Sequence, residues 1–174
     1  MHAHCYGVDE DAAVFRVVKW LDHLAALNHR RLDLMRARSI LDECADGLKC
    51  QSYEAHPRRR HPDSDGLLAG LIHRDEKRGR VDAELQAIAD ELQTARADLE
   101  RAWTANSPAL DAEFDYTLRR YIDGEHEREA AENIGVPVWT AKLYPRRCAP
   151  AIYAAMPWRF AQCTRGNDMP LGYY

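Results

Sequence analysis

One long apolar seam restricts what this chain can fold into more than any other feature. Leu67, Leu71, Arg74, Arg78, Val81, Leu85, Ile88, Leu92, Ala95, Leu99 and Ala102 recur at alternating spacings of four and three. Only an α-helix brings such positions to one face. From Val81 onward every one is apolar, as in the a and d places of a coiled coil. The spacing predicts a helix from about Gly66 to Ala105. Glu84, Asp90, Glu91, Arg96, Asp98 and Glu100 are assigned to its outer, solvated face. Gly70 and Gly79 weaken its first third by about 1 kcal/mol each relative to alanine. Such a seam is not stable alone in water, so it needs a partner. The nearest is a preceding helix folded back as an antiparallel hairpin, and the next nearest is the same helix in a second copy, which would make a homodimer.

The preceding segment supplies that partner. Trp20, Leu24, Leu27, Leu34, Leu41, Ala45 and Leu48 follow the same spacing, with Arg31 and Arg38 in the two remaining places. Val14, Val17, Leu21, Leu32 and Met35 widen the stripe, and the helix is expected to run from about Asp11 to Gly47. Residues 1–10 carry no pattern and are expected to be mobile. Between the helices, residues 49–66 hold two prolines, a glycine and the cluster Arg58-Arg59-Arg60, and read as a loop. Cys44, Cys50, His56 and His61 lack the closely spaced cysteine pair of a structural zinc site, so no metal is assigned.

After Asn106-Ser107-Pro108 a different unit begins. Ser107 is expected to cap and Pro108 to open a third helix, with Leu110, Phe114, Thr117, Leu118 and Tyr121 on one face and Gly124 as its left-handed stop. The segment from Glu129 to Tyr144 then meets the geometric needs of a helix-turn-helix. Ala131 provides the small side chain at the crossing of two helices. Gly135, four positions later, supplies a positive φ at low cost, and Val136 follows it. Ala130, Ile134, Val136, Ala141 and Tyr144 fall on the inner flank. Pro137 fits the start of the second helix, and Pro145 is expected to end that helix at Tyr144, with a further piece from Arg146 to Met156. Residues 157–174 read as an irregular tail.

Charge is polarised in the same unit. Residues 111–132 carry eight acids and three arginines, whereas no acid occurs from Asn133 to Asn167 and Lys142, Arg146, Arg147, Arg159 and Arg165 do. A cationic flank of this kind suits a phosphate backbone even in a chain of net charge -4. Trp139, Thr140, Lys142, Arg146 and Arg147 are therefore the candidate DNA contacts. The Trp139 indole fits either an exposed place beside the DNA backbone or the core.

Leu118-Arg119-Arg120-Tyr121-Ile122-Asp123-Gly124-Glu125, followed by Arg128-Glu129-Ala130-Ala131-Glu132-Asn133-Ile134-Gly135-Val136, resembles region 4 of sigma-70-type factors. It is most similar to the small phage and prophage regulators that join such a region to an N-terminal helical hairpin. The order of parts is shared from about 12 to 156, and specific residues from 110 to 147. The resemblance implies a cytoplasmic transcriptional regulator that contacts double-stranded promoter DNA beside RNA polymerase. The chain departs from the pattern at Pro145, where the family's recognition helix continues.

Other function classes find little support. The order of residues offers no Ser-His-Asp or Cys-His arrangement, no phosphate-binding glycine loop and no G-x-G-x-x-G, so neither an enzyme nor a cofactor is expected. The first seven residues, Met1-His2-Ala3-His4-Cys5-Tyr6-Gly7, have no basic start or apolar core, and no run approaches the ~18–20 apolar residues of a membrane span. The expected protein is all-α and cytoplasmic: a long antiparallel helical hairpin (11–105), a helix-turn-helix unit (108–156) and a tail. The alternative is a helical adaptor that binds protein through the coiled coil and reads no DNA.

Overall fold

A computed structural model describes residues 10–50 and 64–161, and all the regular structure within them is helical. α1 (Glu10–Cys50) and α2 (Ser64–Asn106) are the two long helices. α3 (Asp111–Leu118) runs directly into a single π-helical turn (Arg119–Asp123). Then come α4 (Glu127–Asn133), α5 (Val138–Ala141), α6 (Tyr144–Ala155) and α7 (Pro157–Ala161). No described helix is long and apolar enough to cross a membrane.

The seam helices extend further than the sequence signals placed them. Lys49 and Cys50 continue α1, and Ser64 to Gly66 already belong to α2, so the expected loop shortens at both ends. Its proline- and arginine-rich middle, with Arg58, Arg59, Arg60, His56 and His61, lies outside the described residues, as do residues 1–9. The irregular tail needs correction too. Residues 157–161 form α7 and Phe160 is buried, because an aromatic side chain at a helix end gains more from packing than from solvent.

The chain divides into two compact units that cut through both long helices, instead of separating a hairpin from a C-terminal module. Among the described residues one comprises 10–28 and 92–161, the other 29–50 and 64–91. In the second unit α1 and α2 run antiparallel side by side. Arg30 meets Glu84 at 2.7 Å, Arg38 meets Asp82 at 3.1 Å and Arg78 meets Asp42 at 3.3 Å, one number rising as the other falls. The hydrogen bond from Arg30 holds the Glu84 carboxyl below its ordinary range. Among the described residues each helix of this unit has one neighbour, and the unit buries a single seam. Leu34 and Ile88 are inside, whereas Leu32, Met35 (55% exposed) and Leu71, expected in the stripe, face solvent, and so does Ile40.

In the first unit α1 and α2 have further neighbours and bury much more. Val17, Leu21, Leu24, Leu92, Ala95, Leu99 and Ala102 are essentially inaccessible. α3 packs on α6, with Phe114, Thr117, Cys148 and Ile152 fully enclosed. Burial pushes the Cys148 thiol up to about 11, and its contact with the Thr117 hydroxyl at 3.4 Å opposes that rise. Trp103 stacks on Phe114 and its indole N–H donates to Asp111, fixing the corner between α2 and α3. That helix starts at Asp111, so Ser107 does not take the capping place, nor Pro108 the first helical position, expected of them. Both lie in the preceding turn, and Leu110 is the N-cap.

Two polar residues sit where the helical pattern did not place them. Asp98, assigned to the solvated face, is buried and ion-paired with Arg159, because α7 covers that side of α2. The Arg159 guanidinium also lies 5.3 Å over the Trp20 ring, and Phe160 meets the same ring edge-on. Asn28, inside the α1 stripe, donates its amide to the carbonyls of Tyr121 at 2.7 Å and Ile122 at 3.3 Å. Those are end carbonyls of the π turn, left without partners by Gly124, so a side chain on α1 caps an element 93 residues away. Gly124 has φ +77° and would place a Cβ 3.2 Å from Asn28 Cγ, which makes glycine necessary on two counts.

Candidate nucleic-acid interface

The corner at Gly135 is built by local hydrogen bonding. His126 has extended backbone and is the N-cap of α4, its ring accepting a long bond from the Arg128 N–H. At the other end Gly135 has φ +73°. Its N–H donates to the Glu132 carbonyl and the Val136 N–H to the Ala131 carbonyl, both at 3.1 Å. This is a Schellman ending, in which a left-handed residue turns two orphan carbonyls back on themselves. A Cβ at Gly135 would meet nothing within 4 Å, so backbone conformation alone demands the glycine.

Beneath the corner lies a small core of Tyr116, Ala130, Ala131, Ala141 and Tyr144, with Ile134, Val136 and Val138 against it. Tyr116 and Tyr144 meet edge-to-face at 6.0 Å. Burial holds the Tyr116 phenol above its ordinary range, and Glu127 adds to the effect. The inner positions assigned from sequence are therefore brought together. Arg119 and Arg120 of the preceding turn are structural: Arg119 bonds Asp115 and Glu125, and Arg120 donates to the Glu125 carbonyl.

The second helix is divided differently from the expected Pro137–Tyr144. Pro137 is its N-cap, with extended backbone and a carbonyl that accepts from Thr140 and Ala141. α5 ends at Ala141. Pro145 has no N–H to offer the Ala141 carbonyl, and its ring crowds that oxygen, so the ladder breaks there. Tyr144 consequently belongs to α6, in whose first turn Pro145 lies, and Lys142 falls in the intervening turn. Lys142 (φ -57°, ψ -24°) and Leu143 (φ -85°, ψ -16°) nonetheless keep right-handed helical dihedrals. Positions 139, 143 and 146 stay in phase across the break.

The candidate contacts separate into four kinds. Trp139 is 72% exposed, which settles its alternatives in favour of solvent, and the indole has no hydrogen-bond or ring partner among the described residues. Thr140 is half-buried beside it. Lys142 lies 3.2 Å from Glu127, and Arg147 lies 3.8 Å from Glu113 and over the Tyr144 ring. Arg146 is exposed and has no partner among the described residues. Lys142 and Arg147 are themselves exposed, whereas the Glu127 and Glu113 side chains are half-buried, so an external phosphate would reach the cations in competition with these acids. Leu143, 44% exposed one turn from Trp139, was not selected from the sequence. Its signal was present: 139 and 143 are apolar yet fall outside the inner set 134, 136, 141 and 144.

No family model, curated protein or solved structure matches this chain. Among the described residues no group of three His, Cys, Asp or Glu is placed to hold a metal ion.

Proposed function

We propose that residues 111–156 bind double-stranded DNA as the reading module of a transcriptional regulator. The observation that carries this is the left-handed corner at Gly135. It turns the inner flank of α5 toward a small core and leaves Trp139 on α5, Lys142 in the turn after it and Arg146 and Arg147 on α6 exposed, with Thr140 half-buried beside them. No acid occurs from Asn133 to Asn167, and a cationic stretch of this kind suits phosphate positioning even though Glu127 and Glu113 reach Lys142 and Arg147. The sigma-region-4 resemblance adds promoter DNA, RNA polymerase and a phage or prophage setting to the proposal. The test changes Lys142, Arg146 and Arg147 to alanine together. Duplex affinity should fall and the slope of log affinity against log salt should flatten by up to about three phosphate contacts. Unchanged affinity and slope would remove this face as the reader.

A second reading, a protein-docking adaptor, is favoured by one specific observation. Glu127 and Glu113 already accompany two of the three cations, while Trp139 and Leu143 present apolar surface. Duplex titration at about 50 and about 200 mM salt separates the two, run beside light scattering of the full chain. No binding at the lower salt together with a defined oligomer selects the adaptor.

A further inference from the structure

The outer flank of the corner is poorly equipped to read base edges. α5 is four residues long and spans about 6 Å, and its helical phase carries on through Leu143 into α6. The major groove is roughly 12 Å wide, and direct readout there uses several side chains with bidentate donors or acceptors. Here the most prominent group is an unpartnered indole, followed in phase by Leu143 and then by Arg146. An apolar projection backed by one unengaged cation is the chemistry of a side chain that enters a base step while the cation holds the adjacent phosphate. Pyrimidine–purine steps such as TA unstack most cheaply, and opening one costs on the order of a few kcal/mol.

Resting on the DNA reading above, we infer that Trp139 is a wedge. It inserts at a flexible pyrimidine–purine step of duplex DNA, so that the module recognises deformability more than base edges. Leu143 widens the base of the wedge and Arg146 neutralises a flanking phosphate. Val138 and Ala141, on either side of Trp139 and Thr140, are held against the core, which anchors the backbone that carries the indole.

The test uses the full chain and duplexes of about 20–30 bp that differ only in the central step, TA against a stiff A-tract. 2-Aminopurine beside the step reports unstacking. Wild type should prefer the TA duplex and brighten the probe. Trp139→Ala should lose roughly tenfold on that duplex, as expected when one base–aromatic stack is removed, and little on the A-tract. Trp139→Phe should retain most of the preference. Because position 139 is exposed, unchanged far-UV circular dichroism is expected of both variants. Binding that shows no step preference and is indifferent to Trp139→Ala overturns the wedge while leaving the DNA reading intact. Tighter binding to the single strand than to the duplex also overturns it. Absence of any DNA binding at low salt overturns both readings together.

Discussion

Asp98→Ala should be among the most destabilising surface-to-core changes in the chain, and its size follows from the surroundings. The Asp98 side chain is 10% exposed and accepts from Arg159, whose side chain is 28% exposed, with Arg101 at 3.4 Å on the rim. The Arg159 Nε is already buried without a partner. Removing the carboxylate leaves a mostly enclosed guanidinium uncompensated, a change that costs about 3–5 kcal/mol when burial is complete. Arg159 keeps more than a quarter of its surface in water, and the Trp20 face, 5.3 Å away, retains an attraction of about 0.5–2 kcal/mol. The expected loss is therefore about 2–3 kcal/mol, or roughly 5–10 °C in Tm for a chain of this size. Urea unfolding by circular dichroism measures it. Converting Arg159 to Met in the Asp98→Ala background removes the orphaned charge while keeping an apolar stem, and should restore at least about 1 kcal/mol. A cost below about 0.5 kcal/mol, or strict additivity of the two substitutions, would refute the argument that α7 is fastened through a buried ion pair.

Two further outcomes follow from the corners and the buried acids. Gly135→Ala should cost about 1–2 kcal/mol through left-handed strain alone, whereas Gly124→Ala should cost more because its Cβ also meets Asn28; thermal melts that rank them in the opposite order would contradict this. Alkaline stability should decline between pH 9 and 12, because burial raises the Cys148 thiol from 9.0 to about 11 and the Tyr121 phenol from 10.0 to about 12. Both groups are bound to their protons more tightly when folded, so their stabilisation is complete below the unfolded values and is lost as pH rises through the folded ones. Tyr121→Phe should blunt the upper part of that decline in urea titrations against pH, and an unaltered profile would show that Tyr121 does not contribute.

The rules that were legible in the sequence are those with a local cause. Helical period selects helices for about 11–47 and 66–105, because only that backbone aligns every third and fourth residue, and the structure extends them to 10–50 and 64–106. Gly124 and Gly135 mark left-handed stops because other residues are strained there, and Pro145 breaks a ladder wherever it occurs. The inner set at Ala130, Ala131, Ala141 and Tyr144 follows from the same periodicity once the corner is fixed. Burial, by contrast, depends on how many elements lie against a helix, and no single helix encodes that. Leu32 and Met35 continue a stripe that is covered at Val17, Leu21 and Leu24, but among the described residues of the 29–91 unit each helix has one neighbour and they remain exposed. Asp98 turns inward because α7 brings it a cation, and Asn28 is useful only where a π turn presents bare carbonyls. Trp139 stays outside because smaller residues fill the corner beneath it. Sequence determined where the backbone turns; tertiary contact decided which side of each helix meets water, since desolvation is a property of the whole packing and not of any one segment.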